Sequence, residues 1–267
     1  AGSRGGGRGM KRVADAMLPA VVLVGLLVAW EVLVRVAEIP HYTLPAPSLV
    51  LQTLWTNAAS LAGSWWFTLK ITFGALALAV AGGVLVASVF ALSRPLERAF
   101  LPVAVMLQVT PVVAVAPLIL IYVESTTAAL LLCTWITAFF PILSNTVLGL
   151  RAAEPGHRDL FRLYRATPWQ RLRLLLVPTA LPYFAAGLKI SGGLSLIGAV
   201  TAEMVAGAAG RETGLASRIL EASFRTETPK MFAALVLLVL TGVAIFWLFD
   251  RLSRAMLGRW HPTGSPN

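Results

Sequence analysis

Charge is what this sequence lacks most. Aspartate, glutamate, lysine and arginine together make up 13% of its 267 residues, against roughly a quarter in an ordinary soluble domain. So little charge excludes a disordered chain and argues against a water-soluble globule. Cysteine is nearly missing: Cys133 stands alone, so no intrachain disulfide can form. The three histidines, His41, His157 and His261, are scattered. They form no metal cluster and no Ser/His/Asp constellation of a hydrolase. A Gly-x-x-x-x-Gly-Lys-Ser/Thr loop is also missing, so nucleotide phosphates are not cradled in that way. Acidic residues number 12 against 22 basic ones, a formal balance of +10. Nucleic-acid domains carry such an excess on a water-facing surface. A chain that is 57% hydrophobic, with a mean hydropathy of +0.78, has too few polar residues to build one. Basic loops held on one side of a lipid bilayer fit both numbers.

What is present is a set of long apolar windows. Charge is absent between Lys70 and Arg94, Arg98 and Glu124, Glu124 and Arg151, and Lys230 and Asp250. A further window, Leu174 to Ala202, is broken by Lys189, and the first, Met17 to Ile39, carries Glu31 and Arg35. Those two are four residues apart and neutralise each other on one helix face. About 20 helical residues cross the hydrocarbon layer. The windows predict six transmembrane helices and an all-α, polytopic fold; their unbroken apolarity excludes a barrel. Arginine and lysine cluster before the first span, between the second and third, between the fourth and fifth, and after the sixth. That bias predicts cytoplasmic termini and a cytoplasmic loop at 151–176.

The Gly-rich residues 1–16 read as a flexible basic tail, 17–252 as the six-span domain, and 253–267 as a cytoplasmic tail. The first span reads as a retained anchor, since no small-residue cleavage site precedes Pro40. Ser48 to Leu61 reads as an amphipathic helix lying on the membrane surface, and Trp65 and Trp66 mark an interface.

The loop at 151–176 is the informative segment. Pro155 to Tyr164 predicts a short helix with Leu160, Leu163 and Tyr164 in one apolar stripe. Thr167-Pro168 opens a second helix, with Trp169, Leu172, Leu175 and Leu176 facing one way. The arrangement resembles the coupling loop of permeases of binding-protein-dependent ABC importers, whose pattern is E-A-A, three residues, G, nine residues, I-x-L-P. Asp159, Leu160 and Phe161 stand at the E-A-A places, Arg165 at the glycine, and Leu175, Val177 and Pro178 at I-x-L-P. An arginine at that place calls for a turn in right-handed backbone, or for a loop set at another angle. The resemblance runs from Leu44 to Asp250 and takes in QVTPVVAVAPLILI, FFPILSNTVLGL and GLSLIGAVTAEMVAG.

It implies the type I importer permease fold in a bacterial inner membrane, and a permease with no catalytic residues or cofactor of its own. The implied partners are ABC ATPase subunits that bind the ATP, a substrate-binding protein outside, and a second permease copy, most simply as a homodimer. Asp159, Leu160, Phe161, Leu163, Tyr164, Arg165, Ala166 and Trp169 become the candidates for ATPase coupling. Large apolar side chains outside the membrane mark a contact; packing on the chain's own helix ends is the alternative.

Polar groups and prolines within spans are candidates for the substrate path. Gln108 and Pro111 lie in the third window, where Pro111 and Pro117 interrupt the helical ladder. Asn145, Ser191 and Ser195 line the path or bond helix to helix. Glu203 caps an outer gate, pairs across a dimer, or meets a local arginine. Lys189 meets an anionic cargo or a helix end, or snorkels to the interface. An apolar path with few fixed charges suits a small heterocycle of the thiamine-pyrimidine or riboflavin type; the alternative is a small anion such as a sulfonate, taurine or nitrate. The rival from another class is an ion-coupled secondary transporter or channel, which would carry more buried ionisable groups.

Overall fold

The computed structural model describes residues 6–210 and 214–258, with side chains from Leu18 onward. Residues 1–5 and 259–267 of the two expected tails, with His261, and residues 211–213 lie outside the described residues. The described chain is helical, with no strand. Its elements are α1 (Gly6–Val36), α2 (Pro47–Thr56), α3 (Ala58–Leu92), α4 (Arg94–Val109), α5 (Val112–Tyr122), α6 (Thr126–Arg151), α7 (Pro155–Leu163), α8 (Pro168–Arg171), α9 (Val177–Ala208), α10 (Leu215–Phe224) and α11 (Thr228–Leu257).

Five stretches are long and apolar enough to cross a bilayer: Leu18–Val36, Ala58–Leu92, Thr126–Arg151, Pro168–Ala208 and Thr228–Leu257. The third window, the sixth candidate span, is interrupted. It is two helices, α4 and α5, bent by 98°. Proline explains the break. Pro111 has no N–H to give and is the N-cap of α5, while Thr110 before it takes an extended conformation.

The antiparallel pair α6 and α9 forms the centre, with α3 against α6 and α11 against α9. Glycine permits the approach. A Cβ on Gly149 would meet Ala180 Cα and Tyr183 Cβ at 2.8 Å, and one on Gly187 would meet Asn145 Cβ and the Pro141 carbonyl at 2.9 Å. Small residues at helix seams are the usual means of packing within lipid. The core above the 151–176 loop joins Phe90, Phe139, Ile142, Leu143, Leu150 and Phe249.

α1 lies apart, with 6% of its apolar window buried, as a lipid-facing helix would. Glu31 and Arg35 pair at 2.7 Å as expected. Glu31 also accepts from the Ser48 N–H at 3.0 Å and its hydroxyl at 2.8 Å, so it caps the start of α2. The surface helix is shorter than expected. It stops at Thr56, and Leu61 is a buried residue of α3. Trp66 is exposed, while Trp65 turns inward and donates to Thr241 Oγ1 at 2.8 Å.

Candidate functional site

α7 is a short helix because Pro155 opens it and a cap closes it. The close is a Schellman motif. The Ala166 N–H bonds the Phe161 carbonyl at 2.9 Å, and the Arg165 N–H bonds the Arg162 carbonyl at 2.9 Å. Arg165 sits between them with φ +51°. The turn is therefore left-handed, and the right-handed alternative is wrong. The backbone here is the one a glycine adopts without strain, and Arg165 takes it as the residue that ends α7.

The apolar residues of the loop divide into two sets. Leu160, Leu163, Tyr164 and Trp169 are 47%, 80%, 77% and 65% exposed. Phe161 instead packs against the core, and Ala166 is half-buried. Trp169 does not share the face of Leu172, Leu175 and Leu176, which are buried. Asp159 is exposed, 3.9 Å from Arg162.

α8 starts with a capping box. The Gln170 N–H bonds Thr167 Oγ1 at 3.2 Å, and the Thr167 N–H bonds Gln170 Oε1 at 2.9 Å. Between α8 and α9 the chain makes a π-helical turn, Leu172–Leu176, in which the Val177 N–H reaches the Leu172 carbonyl five residues back. Pro178 follows and cannot donate, so the widened turn lies where the ladder loses a bond. The helix runs on without a gap.

The expected path residues separate as well. Gln108 and Pro111 are exposed, at the α4–α5 bend. Asn145 is half-buried and donates to the Pro141 carbonyl at 2.8 Å. Ser191 is fully buried and bonds the Ala138 carbonyl of α6 at 2.8 Å; Ser195, also fully buried, bonds the Gly192 carbonyl at 2.9 Å. Ser191 thus ties α9 to α6, whereas Asn145 and Ser195 bond within their own helices.

Glu203 is fully buried. Its Oε2 accepts from Thr68 Oγ1 and from the Ala216 N–H, both at 3.1 Å, and Thr68 Oγ1 accepts from the Leu215 N–H at 2.9 Å. A carboxylate from α9 thus caps α10 and ties it to α3. On α10 itself, Arg218 bonds Glu221 at 2.7 Å and holds its carboxyl below the ordinary 4.5.

Lys189 neither snorkels freely nor awaits an anion. Its Nζ donates to Asp250 Oδ1 at 2.7 Å and stands 4.7 Å from the Phe246 ring centre. The partner lies 61 residues away, beyond the reach of any local spacing rule.

Residues 79–258 match the family described as binding-protein-dependent transport system inner membrane component. The riboflavin transport system permease protein RibX of Chloroflexus aurantiacus is 34% identical, over 90% of this chain and 88% of that protein. The formylaminopyrimidine transport permease protein ThiX of Halalkalibacterium halodurans is 31% identical, over 93% and 98%. Among solved structures, an inward-facing MetNI methionine ABC transporter chain superimposes with TM-score 0.62, at 24% identity over 73% of this chain and 95% of that one. A bundle of apolar spans bearing an exposed short loop helix, with the family match over most of its length, makes this chain a member of the binding-protein-dependent inner membrane component family, a multi-pass permease subunit of an ABC importer that works with a separate ATPase and a substrate-binding protein.

Proposed function

We propose that α7 and the turn after it are where the partner ATPase engages. Leu160, Leu163, Tyr164 and Trp169 form the contact, and Asp159, Phe161, Arg165 and Ala166 set its position. The observation that carries this is the exposure of Leu163 and Tyr164, at 80% and 77%, on a helix outside the apolar spans. Both termini and this loop face the cytoplasm, by the arginine bias of the loops. Residues 1–16 and 253–267 flank the permease domain 17–252. ATP is bound by the partner, and this chain needs no cofactor. Two copies form the path as a homodimer, with Gln108 and Pro111 at the α4–α5 bend beside it. Closure of the ATPase pair pushes α7, and α6 and α9 carry the motion across the membrane.

The cargo is a small heterocycle rather than a small anion. Lys189, the cation the fifth span offers to an anion, is already neutralised by Asp250. The relatives named for formylaminopyrimidine and riboflavin transport point the same way. The test of coupling is Leu163→Glu with Tyr164→Glu. Losing two apolar anchors of this size costs on the order of 2 kcal/mol or more, so ATPase co-purification falls about tenfold or more. Retention of the ATPase by a folded variant overturns the assignment. For cargo, thermal stabilisation of the receptor by pyrimidines or flavins is the measurement, and stabilisation by sulfonates alone reverses the reading.

A further inference from the structure

A cavity of about 720 Å³ opens where the ends of α3 and α6 meet the start of α4 and the helix α7. Arg94, Arg98, Arg151, Arg158, Arg162 and Arg171 line it. Two carboxylates share the lining, Glu97 and Asp159. Glu97 is engaged by Arg151, and Asp159 reaches Arg162 at a loose 3.9 Å. Six guanidinium groups against two carboxylates leave four positive charges in excess. Arg158 and Arg171 each bring a buried Nε–H with no hydrogen-bond partner. Arg158 also donates to the Arg151 carbonyl, so it is the excess of positive charge in the lining, rather than any one unfilled donor, that suits the cavity to an anion.

The shape of the surroundings says which acceptor. Leu92, half exposed, forms part of the rim. Beyond it on α4 stand Leu96 and Phe100, 42% and 56% exposed. A cationic cup thus continues into an apolar strip on the flank of a membrane helix. A free anion uses the cup alone, whereas a phospholipid uses both. Guanidinium groups suit phosphate because they bind its oxygens two at a time.

We propose that this cavity holds the phosphate-bearing headgroup of an acidic phospholipid, with its chains along Leu92, Leu96 and Phe100. The proposal rests on the assigned coupling face, because Arg158, Asp159 and Arg162 belong to α7. A lipid seated here bridges α7 to the start of α4 and restrains the loop that the ATPase moves.

The experiment takes the permease–ATPase complex through mixed phosphatidylglycerol and phosphatidylcholine and reads retained lipid by native mass spectrometry. Wild type retains phosphatidylglycerol in preference, on the order of tenfold, as surface arginines dictate. Arg94→Gln with Arg98→Gln brings retention down to the phosphatidylcholine level. Arg94→Lys with Arg98→Lys keeps the charge without the paired grip and retains an intermediate amount, whereas Arg173→Gln with Arg251→Gln, an equal loss of charge outside the cavity, keeps most of it. Soluble glycerol 3-phosphate at millimolar concentration leaves the lipid in place. Undiminished retention in the Arg94/Arg98 glutamine variant overturns the proposal. Displacement by glycerol phosphate overturns it in favour of a soluble phosphate site, and loss of lipid whenever the ATPase is bound assigns the cavity to that partner. ATPase retention is scored in the same samples, so failure of the coupling face, read from the Leu163/Tyr164 variant, is distinguished from failure of the lipid site.

Discussion

Arg165 shows what one residue can hide. A left-handed backbone costs a residue with a Cβ about 1–2 kcal/mol, and the chain accepts this at Glu38, Arg165 and Thr226, with φ of 49°, 51° and 59°. Arg165→Gly should therefore raise the thermal midpoint, by about 1 kcal/mol of stability, whereas Arg165→Ala should not. A glycine variant that melts earlier would mean that guanidinium contacts outweigh the strain. Glu203 is a second case. Its Oε1 has no partner among the described residues, and a Cβ on Gly214 would strike it. Glu203→Gln keeps the oxygen that accepts from Ala216 and should fold. Glu203→Leu strands the Ala216 amide and the Thr68 hydroxyl proton and should lose about 1–3 kcal/mol, read by the same melting measurement. The carboxylate itself was visible in the sequence as an anomaly, but its partners are a threonine hydroxyl 135 residues away and a backbone amide, which no local spacing announces.

Single helices were legible wherever apolar windows or proline and threonine caps marked them. α7 and the start of α8 fall where Pro155 and Thr167-Pro168 place them. The α4–α5 elbow was half legible: Pro111 indicated a broken ladder, but a missing donor does not give an angle, and 98° depends on what the two arms pack against. The α6–α9 seam is tight at Gly149. Gly149→Val puts side-chain atoms into Ala180 and Tyr183, an overpacking cost of about 1–3 kcal/mol. The expected result is a large loss of monodisperse protein on size exclusion, with a normal profile contradicting it. On α10, the lowered Glu221 carboxyl contributes stability present above its unfolded value and lost as pH falls through its depressed one. Acidification below 4.5 should lower the melting midpoint of wild type more than that of Glu221→Gln.

For the molecule as a whole, the six apolar windows and their loop charges carried the fold class, and the family pattern carried the partner. The pairing of α9 with α11 was not legible, because Lys189 and Asp250 meet only once both helices are packed. Removing Lys189 alone leaves Asp250 with Arg254 at 2.6 Å. Removing both charges should cost less than the sum of the two single changes, as coupled neighbours require. One feature reaches across the whole protein. From Pro168 to Ala208 the chain is one unbroken helical rod of 41 residues, roughly 60 Å at the usual rise. Trp169 sits at one tip and Glu203, clasping α10, near the other. Under the proposed coupling, such a rod would act as a torsion shaft, carrying a twist from the tip at Trp169 to the end that holds α10. Adding one residue within Leu172–Leu176 would turn everything beyond it by about 100°, leaving both docking ends intact but out of phase with each other.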